Sequence, residues 1–289
     1  MQKQLQQLIQ GQTTSDGAGV KIKRSLGQTQ RMRFDPFLML DEFGSESASD
    51  YLAGFPSHPH RGFETVTYML EGHMLHEDHM GNKGHLRNGD VQWMTTGRGI
   101  IHSEMPQQEQ GLMRGFQLWL NLPAAEKMKA AAYKDIPSSD IPVANLNNGG
   151  WIKVIANTAV VDGKIIAGPI QGLTTDPIYW DVHLPLNASF NHAIPASHNT
   201  FIYVYEGEVA VGDSASGVEP RTVKAGNAGL LGTGDEISVL ALAADTRFIL
   251  LAGKPLNEPV AQYGPFVMNT QDEIEQAIQD YRSGALTDY

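Results

Sequence analysis

The sequence predicts an all-β protein built from two similar halves, with one helix near its C-terminus. Short runs rich in Val, Ile, Thr, Tyr and Phe alternate with glycine turns, a pattern typical of sandwiched or closed β-units. Glu71-Gly72 follows one such run and Glu206-Gly207 follows another, which indicates a duplicated β-barrel. The helix is predicted by the capping box Thr270-Gln271-Asp272-Glu273 and by Ile274, Ala277, Ile278 and Tyr281, which share one face.

The order of predicted elements follows the apolar runs and the turn signals along the chain. Residues 124–133 contain good helix formers and favour a short helix, which Pro137 and Pro142 would limit. Residues 1–12 are Gln-rich, with Leu5, Leu8 and Ile9 at helical spacing. The predicted strands are 20–23, 37–43, 64–72, 73–78, 91–95 and 111–122 in the first half, and 151–156, 178–184, 201–205, 208–211, 236–241 and 247–252 in the second.

Composition and charge exclude several classes of function. The chain of 289 residues has no cysteine, so disulfides, thiolate metal sites and thiol catalysis are excluded. Its net charge of −11 argues against direct binding to nucleic acid or to an anionic membrane. The first residues lack the features of a signal peptide, and no run approaches the roughly 20 apolar residues of a membrane helix. We therefore expect a cytoplasmic protein.

Two pairs of metal-binding side chains stand two residues apart, His58 with His60 and His102 with Glu104. Residues i and i+2 of a strand point to the same face, so the four side chains would converge if the two strands were neighbours. Three imidazoles and a carboxylate suit iron, copper, nickel, manganese or zinc better than calcium. A single His-x-His pair belongs more often to an ordinary surface or core, but two such pairs beside glycines favour a metal site.

The remaining histidines are interpreted as structural. His73, His76 and His79 would alternate faces on a strand and cannot all bind one ion, so we expect them and His85 to line loops or cap turns. His76 would donate to the acidic pair that follows it. In the second half, His192 and His198 lie six residues apart without a His-x-His motif, so no second metal site is predicted.

Several long motifs resemble those of the pirin family, a branch of the cupin superfamily. They are His-Pro-His-Arg-Gly-Phe-Glu-Thr-Val-Thr-Tyr at 58–68, Gly-Asp-Val-Gln-Trp-Met-Thr at 89–95 and Gly-Arg-Gly-Ile-Ile-His-Ser-Glu at 97–104, with further matches at 34–38, 41–43 and 118–122. The resemblance is dense from about residue 20 to residue 142. It implies two tandem cupin barrels of jelly-roll type at 1–142 and 143–256, and a tail at 257–289 whose helix packs back on the first barrel.

The resemblance also implies a metal site in the first barrel only. It implies one divalent metal per chain, usually iron, with copper, nickel, manganese and zinc as alternatives, held by His58, His60, His102 and Glu104. In other cupins a glutamate after the His-x-His motif is a ligand, and Glu64 stands at that position. Pirins take their carboxylate ligand from the second motif instead, so Glu64 is assigned a supporting role outside the ligand set.

The function implied by the resemblance is one of two. Bacterial pirins are associated with quercetin 2,3-dioxygenase activity, so we predict a metal-dependent enzyme that opens flavonols with O2, with Glu104 as the base that takes the proton of the flavonol 3-hydroxyl. Pirins of higher organisms are associated with transcriptional co-regulation, which gives the alternative of an iron-binding redox sensor that acts through a protein partner. A different small substrate is a third interpretation. Arg98 is a weaker candidate for a residue beside the pocket.

Overall fold

The computed structural model describes residues 1–30, 32–212 and 219–288, and β-strands dominate it. The first half contains β1 Leu5–Gln10, β2 Gln12–Asp16, β3 Val20–Leu26, β4 Phe37–Ser45, β5 Phe55–His60, β6 Phe63–Glu71, β7 Met74–Asp78, β8 Lys83–Leu86, β9 Val91–Thr95, β10 Ile100–Pro106, β11 Met113–Asn121 and β12 Ala132–Ile136. The rest contains β13 Val143–Asn145, β14 Trp151–Ala156, β15 Thr158–Val161, β16 Lys164–Ala167, β17 Ile178–Leu184, β18 Ser189–Ala193, β19 Asn199–Glu206, β20 Glu208–Val211, β21 Arg221–Lys224, β22 Asn227–Leu231, β23 Glu236–Ala241, β24 Thr246–Gly253, β25 Ala261–Tyr263 and β26 Phe266–Met268.

Helical structure is confined to short segments. The helix α1 spans Gln271–Ser283. Single 3-10 turns occur at Ala48–Asp50, Ala124–Glu126, Ser138–Asp140 and Ala285–Thr287. Among the described residues, no helix is long and apolar enough to cross a membrane.

The chain divides into two compact units by its internal contacts. The N-terminal unit comprises the described residues from Gln12 to Ser138 and from Leu256 onward, and the C-terminal unit comprises Met1–Gly11 and the described part of Ser139–Pro255. The N-terminal unit has a seven-stranded sheet in the order β12-β9-β6-β11-β4-β3-β2 and a four-stranded sheet in the order β5-β10-β7-β8. The hairpin β25-β26 belongs to it as well.

The C-terminal unit repeats this arrangement. Its seven-stranded sheet has the order β1-β22-β19-β24-β17-β14-β13, and its four-stranded sheet has the order β18-β23-β20-β21. Alternating apolar residues of these strands form one core that includes Trp180, Phe190 and Phe248. The match in sheet size and pairing confirms the duplication that the two Glu-Gly turns indicated.

The predicted all-β class with a single docked helix is confirmed, and the sheets are open. Among the described residues, each sheet keeps two edge strands, so hydrogen bonding there does not close either unit into a continuous barrel. The edge strand β2 shows why an open edge is tolerated, because all five of its residues are exposed and polar. The predicted domain boundaries at 142 and 256 stay predictions.

Two segments with helical features in the sequence are not α-helices in the structure. Residues 124–133 form only the turn Ala124–Glu126, and Ala132–Ile136 pairs with β9 instead, because a sheet partner outweighs the propensity of a segment too short to nucleate a helix. The N-terminal segment is the strand β1, which pairs with β22. Leu5 and Ile9 are four residues apart, a spacing that shares a face in a strand as well as in a helix, and both are buried.

The predicted C-terminal helix is confirmed in its bounds and in its docking. Thr270 and Glu273 form the reciprocal capping box, and Gly284 ends the helix in the left-handed conformation at φ 84°. Ile274 and Ala277 are buried with residues of β26, and Ile101 of β10 packs against the same cluster. Tyr281, the fourth residue of the predicted stripe, remains largely exposed. The helix thus covers the strand that carries the second metal-binding motif.

Replacing Ile274 by alanine should destabilise the N-terminal unit. The Ile274 side chain is 0% exposed, and truncation of a buried isoleucine costs about 2–5 kcal/mol. The matched control is Glu275→Ala in the next, exposed position, which should change the free energy of unfolding by no more than about 0.5 kcal/mol. Urea unfolding of the full-length variants measures both. Equal effects of the two substitutions would mean that the helix is not docked.

Candidate metal centre

The two predicted ligand motifs lie on neighbouring antiparallel strands, β5 and β10. His102 stands opposite His58, and Ile100 stands opposite His60. The strand β5 is the edge of its sheet, as expected for a segment that contains Pro56 and Pro59 and lacks their N–H donors. The register therefore brings the two His-bearing segments side by side. This is the condition under which the sequence pattern predicted that their side chains would converge.

Three histidines converge at this point. One ring nitrogen from each of His58, His60 and His102 lies within 4.8 Å of the other two. The ring centroids are 4.7 Å apart for His58 and His60, 4.4 Å for His58 and His102, and 5.0 Å for His60 and His102. The Nε2 atoms of His58 and His60 are 3.0 Å apart. These three imidazoles can hold one metal ion.

The hydrogen bonds and burial of the cluster fit metal binding. The Nδ1 atom of His58 lies 2.8 Å from the carbonyl oxygen of Pro56, which can only accept, so Nδ1 carries the proton and Nε2 keeps its lone pair. The Nε2 atom of His102 is buried and has no hydrogen-bond partner among the described residues. Burial lowers the pKa of His60 and of His102 well below the ordinary value, and the neighbouring histidines add to the shift. Both rings are therefore neutral at pH 7, the form that binds a metal.

His76 contacts the histidine cluster, which was not predicted from the sequence. It was interpreted as a loop or turn histidine that donates to the next two acidic residues, and this is wrong. The strand β7 places it opposite Glu104, fully buried, with its Nε2 atom 2.9 Å from Nδ1 of His102. A hydrogen bond to the far nitrogen of a ligand histidine fixes its tautomer and its ring orientation. Only the pairing of β7 with β10 reveals this role, since nothing in the local sequence around His76 signals it.

Glu104 lies on the same strand as His102, but its carboxylate is outside the group of three histidines. The pairing of β10 with β5 is irregular between His102 and Glu104, which stands opposite Phe55. The buried carboxylate accepts one hydrogen bond from Thr67 Oγ1 at 3.0 Å and one from Gln117 Nε2 at 2.9 Å. Its predicted role as fourth ligand and base stays a prediction.

Glu64 is buried on β6 and bonded to other partners. Its carboxylate accepts from Thr95 Oγ1 at 2.7 Å and from Trp93 Nε1 at 3.2 Å. Burial raises the pKa of Glu64, and these two hydrogen bonds partly offset the shift. Glu64 is likewise outside the histidine group, and its supporting role stays a prediction.

The turn after His60 packs against the C-terminal segment of the same unit. The backbone of Gly62 has φ 91°, and a Cβ atom there would overlap with the carbonyl oxygen of Val267, so only glycine fits. The buried Lys127 ammonium donates to the carbonyl oxygens of Gly62 at 2.6 Å and of Val267 at 3.0 Å, and to Asn121 Oδ1 at 2.6 Å. Burial lowers the pKa of Lys127 to about 8, so it is still mainly protonated at pH 7.

Arg61 makes a second connection from the same turn. Its Nε atom donates to the carbonyl oxygen of Arg98, in the glycine turn before β10, and its guanidinium pairs with Asp280 of α1 at 2.7 Å. Arg98, the weaker pocket candidate, takes part in this contact through its backbone carbonyl group. It does not line the cavity beside the histidines that is described below. The helix and both metal motifs are linked through one buried arginine.

A cavity of about 650 Å³ opens beside the histidines, and it is formed entirely by the N-terminal unit. His58 and His60 form part of its wall, together with Gln117, the donor to Glu104. The volume lies within the range of about 300–1,000 Å³ that accommodates organic ligands. Apolar and aromatic side chains make up much of the rest, namely Leu38, Met39, Phe55, Pro56, Trp119 and Pro265.

Other histidines lie outside the cluster, and His85 stands on the strand β8 instead of in the predicted loop or turn. His73 and His85 form an exposed pair with Nε2 to Nδ1 at 2.8 Å, and Nδ1 of His79 accepts from the backbone of Ile101. In the C-terminal unit, His192 stacks on Phe190, and burial lowers the pKa of His192 to about 4. His198 lies 2.9 Å from the carbonyl oxygen of Asp176.

The paired sheets, with a histidine cluster that could hold a metal ion, define a two-unit protein of cupin type. The family model for pirin matches residues 19–120, and the model for the pirin C-terminal cupin domain matches residues 179–287. The chain belongs to the pirin family. The resemblance that the motifs at 58–68 and 97–104 indicated is confirmed.

Sequence similarity to known relatives extends over nearly the whole chain. A Pseudomonas aeruginosa protein provisionally named quercetin 2,3-dioxygenase is 49% identical, covering 97% of this chain and 96% of its own. Human pirin is 41% identical, covering 93% of this chain and 89% of its own. A crystal structure of quercetin 2,3-dioxygenase from Acinetobacter baumannii aligns with a TM-score of 0.88 at 34% identity and covers 99% of both chains. The family therefore includes members named as enzymes and members named only as pirins.

Removing two of the three histidines should abolish metal binding. We expect purified protein loaded with Fe(II) to hold about one ion per chain, and the double variant His58→Ala with His102→Ala to hold almost none, because one imidazole of the cluster remains. The matched control is His73→Ala with His85→Ala, which removes an exposed histidine pair elsewhere in the same unit. Elemental analysis after gel filtration gives the ratio. Retention of the ion by the first variant would rule out this site.

Replacing His76 should weaken metal binding without abolishing it. Loss of the hydrogen bond to His102 Nδ1 frees the ligand ring to turn, and such outer hydrogen bonds contribute about 10–100-fold in metal affinity. His76→Phe should therefore raise the Kd for Zn(II) by that factor in a chelator competition assay, whereas His79→Phe should change it little. An unchanged Kd in a folded His76→Phe variant would show that His102 needs no such support.

Proposed function

We propose that this protein is a metal-dependent dioxygenase that opens the ring of flavonol-like aromatic compounds with O2. The observation that carries the proposal is the three-histidine cluster at the wall of a cavity of about 650 Å³ with aromatic walls. Relatives whose names assign quercetin 2,3-dioxygenase activity support the choice of reaction.

The proposed metal is iron, held by His58, His60, His102 and Glu104. Three neutral imidazoles suit iron and also copper, nickel, manganese and zinc, so the preference for iron rests on the resemblance to the family. When bound, the metal supplies Lewis acidity that lowers the pKa of a coordinated substrate hydroxyl. To bind this metal, the carboxylate of Glu104 must turn toward the histidines. Glu104 lies two residues from His102 on β10, so both side chains are on the same face of the strand.

The chain's own residues do the remaining work. Glu104 takes the proton of the flavonol 3-hydroxyl, and for this role it exchanges its hydrogen bonds to Thr67 and Gln117 for a position beside the histidines. Trp119 and Phe55 present aromatic surface to a flat substrate and exclude water from the reacting ring. Glu64 supports the adjacent strand through Thr95 and Trp93 and does not take part in proton transfer.

The redox-sensor alternative uses the same metal site as the enzyme, but it does not require a substrate cavity next to that site. A sensor acts through a surface that a protein partner reads, and it has no need of a substrate-sized cavity beside the ligands. The cavity next to His58 and His60 therefore favours the enzyme.

Replacing Glu104 by glutamine separates catalysis from metal binding. The variant keeps the size of the side chain and the three histidines, so it should retain a substantial share of the metal. Loss of a general base costs about 10²–10⁴-fold, so quercetin turnover per bound metal should fall at least about a hundredfold. Glu64→Gln is the matched control, another buried glutamate of the same unit, and it should lose about 10–100-fold at most.

Oxygen uptake with quercetin, normalised to bound metal, is the measurement. Wild-type protein loaded in turn with Fe(II), Cu(II), Ni(II) and Mn(II) should consume O2 with at least one of them. The absence of uptake with every metal contradicts the enzyme proposal. Uptake that is equal for wild type and Glu104→Gln contradicts the role of Glu104 and leaves the reaction standing.

A further inference from the structure

Two arginines line the cavity beside the histidine cluster, and they differ in whether a carboxylate pairs with them. Arg24 and Arg33 both line it. The Arg24 guanidinium pairs with Asp41 at 2.6 Å and with Asp16 at 2.8 Å, so its charge is neutralised within the protein. Arg33 forms no ion pair with any described residue. One wall of the cavity thus carries an arginine that forms no ion pair among the described residues.

The hydrogen bonds of Arg33 leave most of its donors unused. Its Nη2 atom donates to the amide oxygen of Gln262 at 2.5 Å, and this is the one bond the described structure gives for a group with five N–H donors. The amide holds the guanidinium in place without neutralising it. Gln30 donates to the backbone of Gln262 at 3.0 Å, which ties the loop that carries Arg33 to the strand β25. The arginine is therefore positioned by its neighbours.

The surroundings of Arg33 are costly for an unpaired charge. The side chain is half-buried, and burial lowers the pKa of its guanidinium with no carboxylate close enough to offset the effect. Because Arg33 is half-buried and lines the cavity, an anion that enters the cavity can reach its guanidinium and offset the cost of its partial burial. Its planar fork of donors matches a carboxylate in a two-bond arrangement.

We propose that Arg33 binds an anionic group, most simply a carboxylate, on the aromatic substrate that the histidine site acts on. The inference rests on the proposed function, and it narrows the substrate class from neutral flavonols to aromatic compounds that carry an acid group apart from their metal-binding oxygens. Phe55 and Trp119 contact the ring, His58 and His60 lie at the metal-binding wall, and Arg33 and Gln262 form the acid-binding wall. Quercetin itself would then be a usable but incomplete substrate.

The experiment compares two probes that differ in one charge. Iron-loaded protein under argon is titrated with 3-hydroxyflavone and with 3-hydroxyflavone-4′-carboxylate, and the quenching of tryptophan fluorescence gives Kd without any turnover. Wild-type protein should bind the carboxylate at least about tenfold more tightly, the effect of one charge-assisted hydrogen-bonded pair. The preference should shrink as NaCl rises from 0.05 to 0.5 M, because salt screens the pair.

Variants of Arg33 test whether this residue causes the preference for the carboxylate probe. Arg33→Gln should bind the two probes about equally, while Arg33→Lys should keep part of the preference because it keeps the charge. The matched control Lys164→Gln removes one positive charge from an exposed strand of the C-terminal unit and should keep the full preference. Equal binding of the two probes to wild-type protein overturns the proposal, and so does a full preference in Arg33→Gln.

The experiment distinguishes a failure of this proposal from a failure of the proposed reaction. If quercetin and both probes fail to support O2 uptake while the Arg33-dependent preference is present, the dioxygenase proposal fails and the acid-binding site stands. If O2 uptake is observed and the preference is absent, the reaction stands and the assignment of Arg33 is wrong.

Discussion

The pairing of β5 with β10 is the interaction on which the rest of the site depends. Each strand supplies part of the cluster, and His102 meets His58 and His60 only because the two strands run antiparallel in this register. A slip of one residue would turn His102 to the opposite face of the sheet. The irregular step after His102 belongs to the same pairing, and it sets Glu104 apart from the three imidazoles. One pair of strands thus sets the positions of the three histidines and of Glu104.

Because β5 is an edge strand rich in proline, it needs support from outside its own sheet. The C-terminal segment of the unit provides it: Val267 packs against the Gly62 turn, Lys127 bridges the two, and Asp280 of α1 pairs with Arg61. Two of these contacts involve buried charges, which need partners in fixed positions and so specify one arrangement of the turn. The docked helix therefore contributes to the geometry of the metal site as well as to the stability of the fold.

The sequence predicted what depends on local pattern and on long motifs. The glycine turns and β-forming runs indicated the all-β class, the capping box located α1, and the motifs around His58 and His102 indicated the family and the three histidines. What it missed depends on pairing across the sheet. His76 meets His102 only through β7, residues 132–136 form a strand because β9 offers them a partner, and β1 joins β22 from more than 200 residues away. Arg33 stands out only once the absence of a carboxylate near it is seen among the described residues.

The central claim is that three histidines from two paired strands hold one metal ion. X-ray absorption spectroscopy at the iron edge of Fe(II)-loaded protein tests it most directly, because multiple scattering from imidazole rings counts the bound histidines. The account predicts three imidazoles per iron in the wild type and two in His102→Ala, with oxygen donors completing the coordination. A spectrum fitted by one imidazole or none, or one that does not change in His102→Ala, would contradict it.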